Sequence, residues 1–209
     1  MNAHSARDRA LDLAFAAGWK ATNRLPERVA AAGFRAAADV AVRRQSKGVQ
    51  RLQANLRRVV GPQCPEPELD ALVKSAMRSY GRYWLETFRL PTMDLDEVAA
   101  RLEAGTEGAE HIDRAMAAGR GLILALPHMG NWDVAAVWLI KHGVPFTTVA
   151  ERLRPESLYD RFVAYRGGHR HAVLALTGGP RPAAEILAAR LRSGECVCSS
   201  PTAICRAPE

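Results

Sequence analysis

No run of about eighteen apolar residues occurs in this 209-residue chain, so no segment reads as a bilayer-spanning helix. A secretory leader is not visible either, because Asp8 and Asp12 interrupt the start and no apolar core follows them. The chain has no G-x-S-x-G elbow and no G-x-G-x-x-G after a strand, which argues against an ordinary serine hydrolase and a dinucleotide-binding unit. Thr177-Gly178-Gly179-Pro180 contains glycines but lacks the spacing and the lysine of a phosphate-binding P-loop. Cysteine is sparse: Cys64, Cys196, Cys198 and Cys205. Cys196 and Cys198 stand too close for a usual zinc pair, and no histidine nearby completes a site. His169 and His171 flank Arg170 in a loop and read as solvated residues, so no metal is expected. With 48% hydrophobic and 24% charged residues, the composition is that of a globular protein rather than a disordered one.

What is present is unevenly distributed. The net charge is +7, yet residues 1–60 alone carry +8 and the rest of the chain −1. A nearly neutral body thus bears a basic arm, which suits a polyanion such as an anionic membrane surface or a nucleic-acid backbone. A solvated, arginine-rich helix surface would look the same. No nucleic-acid recognition module or aromatic stacking set accompanies the arm, so a nucleic-acid partner is not expected.

Within the arm, Leu11, Phe15, Trp19, Val29, Phe34 and Val42 are spaced as an apolar stripe opposite a basic face, predicting helix from about residue 8 to 60. Such a helix either lies on a membrane or packs on its own domain. Gly61-Pro62 through Pro67 breaks the pattern. A second helix, about 68 to 90, places Leu69, Leu72, Val73, Met77, Tyr80, Trp84 and Phe88 on one side, and Pro91 ends it. Two short helices follow, at 94–102 and 107–118.

The period then changes. Residues 121–126 form a short apolar run bounded by glycine and proline, as expected of a strand buried on both faces. Helix is expected at 131–142, strand at 145–150, helix at 155–166, strand at 172–176 and helix at 182–192. This alternation implies right-handed crossovers: an α/β fold with a parallel-rich sheet flanked by helices and a helical, basic N-terminal extension. The expected organisation is a membrane-associating helical region at 1–92 and an α/β core at 93–194.

Ligands of such sheets bind beyond the carboxyl ends of the strands. His128 stands two residues past the first strand, and Asp133 opens the following helix. A carboxylate so placed can hold one ring nitrogen and leave the other as a base. Gly130 permits the tight turn between them, and the helix start offers backbone N–H groups to an anion or oxyanion. Taken alone, H-x-x-x-x-D is equally a loop histidine whose aspartate caps a helix.

In order along the chain, Gly48-Val-Gln-Arg-Leu-Gln-Ala-Asn-Leu56, Tyr83-Trp-Leu-Glu86, Leu126-Pro-His-Met-Gly-Asn-Trp-Asp133, Ala150-Glu-Arg-Leu-Arg-Pro-Glu156, Asp160-Arg-Phe-Val-Ala-Tyr-Arg166 and Leu176-Thr-Gly-Gly179 resemble one known family. It is that of the bacterial lipid A biosynthesis acyltransferases, and within it the phosphatidylinositol mannoside acyltransferases of actinobacteria. The resemblance covers about residues 45 to 194. It implies transfer of a fatty acyl group from acyl-coenzyme A, a substrate rather than a cofactor, to a sugar hydroxyl of a membrane glycolipid. His128 would deprotonate that hydroxyl and Asp133 would orient His128. Asn131, Glu151 and Arg166 would hold the acceptor or position polar groups, although from the residues alone Glu151 and Arg166 equally make a surface ion pair. The implied location is the cytoplasmic face of the cell membrane, peripheral. A non-catalytic membrane-binding protein is the alternative.

After Gly194 the family pattern of an apolar strand followed by an acidic segment near L-A-D/E-R-D-L is not recognisable. Residues 195–209 show no strand of that kind and no matching acid. Reading their codons in the neighbouring frame permits V-R-L-L-L-A-D-R-D-L-S-R-A-G. The expectation is an off-frame tail at 195–209, an incomplete sheet with an uncovered apolar edge, and a chain of poor stability and little activity.

Overall fold

A computed structural model describes residues 6–127, 129–150, 172–176 and 181–199, with the side chains of residues 6–12, 14 and 15 outside the description. Two compact units divide the chain: residues 17–92, and residues 93–209 grouped with the first sixteen.

The region predicted as helix from 8 to 60 is broken twice, into α1 (Ala6–Arg24), α2 (Glu27–Arg43) and α3 (Lys47–Val60). Pro26 causes the first break, since it has no N–H to donate and sits at φ −53, ψ 141 ahead of α2. The second comes at Gln45, a non-glycine residue at φ 46. Ser46 then caps α3, its hydroxyl accepting from Val49 N at 3.4 Å. The helix α4 (Glu66–Arg89) starts after Pro65 and runs into a short 3-10 turn, Leu90–Thr92.

In this helical unit α4 is the hub, packing against both α2 and α3. Val49, Leu69 and Val73 are fully buried together, with Leu52, Leu56 and Met77 around them. At the α2–α4 crossing Gly81 faces the carbonyl of Phe34, which a Cβ would approach to 3.3 Å. Arg78 grips Asp39 across the same crossing through two hydrogen bonds of 2.8 and 2.7 Å. Near the other end, Arg89 donates to the carbonyls of Thr22 and Leu25, closing the C-terminus of α1. Phe88 gathers Trp19, Phe34 and Trp84 around it. The predicted apolar side of α4 therefore holds at Leu69, Val73 and Phe88 but not at Tyr80, which is 55% exposed, or at Leu72. Gly81 takes the crossing position beside Tyr80, so the backbone rather than the ring makes the close approach.

The second unit begins with α5 (Leu95–Glu103), capped by Asp94, and α6 (Ala109–Ala117). A four-stranded, wholly parallel sheet follows: β1 (Leu122–Ala125), β2 (Phe146–Ala150), β3 (Ala172–Ala175) and β4 (Cys196–Ser199), in the order β1-β4-β2-β3. Helix α7 (Trp132–Lys141) joins β1 to β2, and α8 (Ala183–Arg192) precedes β4. The α/β, parallel-sheet expectation is met. The helix expected at 155–166 lies outside the described residues.

Two expectations fail, and for linked reasons. The segment after Gly194, read as an off-frame tail with no strand of the family's kind, supplies the strand between β1 and β2. All four residues of β4 are buried. A central parallel strand is covered on both faces and asks only for small or β-branched apolar residues, which Cys-Val-Cys provides. Conversely β1, read as buried on both faces, pairs only with β4 among the described residues and leaves Ile123 54% exposed. The cysteines act as packing groups. The Cys198 thiol is pushed far up, first by its hydrogen bond with Cys196 and then by burial, so it stays neutral. Leu139, Val144 and Phe146 complete the core around them.

Two glycines let the chain enter this sheet. Gly121 (φ 81) and Gly194 (φ 85) precede β1 and β4. A Cβ on Gly121 would stand 2.3 Å from the carbonyl oxygen of Leu191, so the position is closed by conformation and by contact. Gly121→Ala is expected to destabilise this unit by about 3 kcal/mol or more, left-handed strain adding to overpacking. Thermal unfolding checks this, with Gly143→Ala as the control for strain alone, since Gly143 shares the positive φ but has open space at its Cβ.

Candidate active site at the carboxyl end of β1

The ladder between β1 and β4 outlasts both strands by one bond, from Leu126 N to Ser199 O at 3.0 Å. Pro127 then stops further pairing, having no N–H. Met129 N donates back to Pro127 O at 2.8 Å, and Gly130 at φ 66 turns the chain toward α7. His128 falls between these two bonded neighbours and lies outside the described residues.

Asn131 is the N-cap of α7, extended at φ −123, ψ 106. Its Oδ1 accepts from Asp133 N at 3.1 Å and Val134 N at 3.3 Å, and Ala135 N closes the first helical turn on Asn131 O. This corrects part of the sequence reading: the amides at 133 and 134 are engaged by the cap rather than open to an anion. It also gives Asn131 a definite structural role, whatever else its amide contacts. Asp133 is buried, 7% exposed, in the first turn of α7. There the positive end of the helix favours a carboxylate.

The far end of α7 is fixed as firmly. His142 meets Asp113 of α6 at 2.9 Å and stacks on Trp138, with ring centroids 4.9 Å apart. Trp138 Nε1 donates to Glu103 of α5, and Lys141 pairs with Asp96. A helix held at both ends is a rigid carrier for whatever its first turn presents. Sequence reasoning passed over this clamp, although its helical spacing, Trp138 to His142, was legible.

Of the five predicted site residues, the structure brings Asn131 and Asp133 together at one helix start. Glu151 and Arg166, like His128, lie outside the described residues. The chain leaves β2 at Ala150, one residue before Glu151, so β2 ends at the same edge of the sheet as β1. Ser199, buried at the end of β4 beside Leu126, joins the same edge and was not foreseen. No helix among the described residues is long and apolar enough to cross a membrane, and no group of three or more metal-ligating side chains occurs among them.

A parallel sheet with an Asx-capped helix leaving the carboxyl end of its first strand is a site class shared by many α/β enzymes. The chain belongs to the family described as bacterial lipid A biosynthesis acyltransferase, which its residues 3–203 match. That match extends past Gly194 and takes in β4, whereas the resemblance seen in the motifs ended there. Among its relatives is the phosphatidylinositol mannoside acyltransferase of Mycobacterium tuberculosis (strain CDC 1551 / Oshkosh), 48% identical over 190 residues, covering 90% of this chain and 59% of the relative. The protein of the same description from Mycolicibacterium smegmatis is 48% identical over 187 residues, covering 90% and 60%. The chain thus spans about six-tenths of the length of the curated relatives it matches.

Proposed function

We propose that this chain carries the base-bearing part of an acyltransferase that moves a fatty acyl group from acyl-coenzyme A to a sugar hydroxyl of a mannosylated phosphatidylinositol. His128 takes the hydroxyl proton as the oxygen attacks the thioester carbonyl. The carbon–oxygen ester bond forms, the carbon–sulfur bond breaks, and the coenzyme A thiolate leaves and is protonated. Asp133 orients the imidazole, and Asn131 holds the turn that spaces the two. Glu151 and Arg166 sit on the acceptor side. The protein works peripherally at the cytoplasmic face of the membrane, its basic helices against anionic headgroups.

The observation that carries this reading is the buried carboxylate of Asp133, held at a capped helix start five residues after His128, in a chain of this family. The test is an acyl-transfer assay on membranes with labelled acyl-coenzyme A. It compares the chain alone with the chain continued by the remaining two-fifths of a mycobacterial relative. Labelled acylated mannoside from the continued chain is the expected result. Transfer to other lipids but not to the mannoside would move the acceptor assignment, and transfer to neither would sink the acyl-transfer reading.

A further inference from the structure

The helical unit contains an open concavity of about 340 Å³, lined by residues at the turn from α2 to α3 and in the first half of α4. Apolar Val42 and Val73 line it together with Arg43, Gln45, Asp70 and Lys74. Its charges are unevenly satisfied. Asp70 accepts from the Gln53 amide at 3.4 Å, and neighbouring Asp39 is taken by both donors of Arg78. Arg43 and Lys74 have no ion pair among the described residues. Both cations line the same concavity, and each adds to the pull that Arg78, chiefly by its hydrogen bonds, exerts in holding Asp39 below the usual carboxylate range.

Gln45 is the second, independent sign. It occupies the left-handed position after the end of α2, at φ 46, where helices ordinarily place glycine. Its backbone is kept there by Gln45 N to Val42 O at 3.0 Å and by the Gln50 amide on Gln45 O at 2.8 Å. A glycine would do this without strain and without a side chain. What glutamine adds is an amide side chain on a residue that lines the concavity together with Arg43 and Lys74. Strain kept at a non-glycine residue points to use of its side chain.

We infer that the concavity between Arg43, Gln45 and Lys74 is a binding site for a phosphate group, either that of an anionic phospholipid headgroup or that of a soluble phosphate compound. An arginine fork and a lysine supply charge-assisted hydrogen bonds to the oxygens, the Gln45 amide adds a directional donor, and Val42 and Val73 accept the adjoining carbon atoms. The proposal does not rest on the acyl-transfer reading.

The experiment uses the full chain in two arms at one fixed ionic strength. In the first, inorganic phosphate is titrated while backbone amide resonances of residues 42–46 and 70–74 are followed. In the second, co-sedimentation with phosphatidylglycerol vesicles is compared with phosphatidylcholine vesicles. Each arm compares Arg43→Gln/Lys74→Gln with Arg28→Gln/Arg35→Gln, which removes the same charge from exposed positions of α2 outside the concavity. The site predicts a loss of about tenfold or more from the first pair and about threefold or less from the second, because paired charged hydrogen bonds outweigh screened field effects. Gln45→Gly separates function from fold: it should raise the melting temperature while weakening binding. Saturable, localised phosphate shifts without a vesicle difference assign the site to a soluble phosphate, and a vesicle difference without phosphate shifts assigns it to a headgroup. Equal losses from the two pairs in both arms, or Gln45→Gly binding as tightly as the parent chain, would overturn the proposal.

Discussion

A chain ending at Gly194 is expected to lose the α/β unit. Strand β4 lies between β1 and β2 in register, with Leu122 to Ala125 facing Cys196 to Ser199 on one side and Phe146 to Thr148 facing Cys196 to Cys198 on the other. Without it β1 has no strand partner among the described residues, and the ladder's flanking bonds from Leu122 N to Glu195 O and Leu126 N to Ser199 O go too. Each lost ladder bond removes about 1 kcal/mol net, and more where the freed group stays buried. Opening the core around Cys196, Val197 and Cys198 adds roughly 1.5–3 kcal/mol for a side chain the size of valine. Against a usual domain stability of roughly 5–15 kcal/mol, these losses leave nothing to hold the sheet. Amide hydrogen exchange reads the outcome directly. Residues 122–126 should be protected in the 209-residue chain and exchange freely in the shortened one. Equal protection in both would mean that β4 does not hold β1, and that the sheet order is wrong.

The same strand shows where the sequence was opaque. Among the described residues, the alternation of strands and helices from Gly121 to Arg192 was legible because each strand is a short apolar run punctuated by glycine or proline and each helix repeats at 3.6 residues. Sheet order was not legible, because nothing in the spacing of Leu122, Phe146 or Ala172 says that the last strand inserts between the first two. Cys196-Val-Cys198 resembled no expected strand motif, yet centrality asks only for small apolar residues. The continuous run at 121–126 suggested burial on both faces and instead forms a strand with Ile123 exposed. In the helical unit, Pro26 announced a break that the long apolar stripe obscured. Gln45 announced nothing, since a left-handed glutamine is invisible in sequence.

The turn after β1 was legible in part, because it needs few residues in fixed order. Placement of Asp133 in the first turn of the helix after β1 follows from the strand–turn–helix pattern alone, while His128 lies outside the described residues. Asn131 carried a second message that went unread: at the position before a helix, an asparagine is first a cap. Its Oδ1 accepts from Asp133 N and Val134 N, so the residue that sets the turn is interleaved with the residues proposed for the chemistry.

That interleaving sharpens the second large prediction, made for the chain continued by the rest of a mycobacterial relative. His128→Ala is expected to lower kcat for acyl transfer by about 10²–10⁴, the usual share of a positioned general base. The KM for acyl-coenzyme A should barely move, because proton removal is needed only in the transition state. Exogenous imidazole should restore part of the lost rate, since a small base can enter the space the side chain leaves. Asp133→Asn should be milder, about ten- to a thousandfold in kcat: the amide keeps the volume of the buried carboxylate but supports the imidazolium less well. Asn131→Ala supplies the contrast, because losing the cap should cost about 1 kcal/mol of stability and should not answer to imidazole. If His128→Ala retains full activity, the base lies elsewhere. If it loses activity together with its melting transition, His128 supports the fold. Loss of kcat at constant stability, with rescue by imidazole, is the signature of a base.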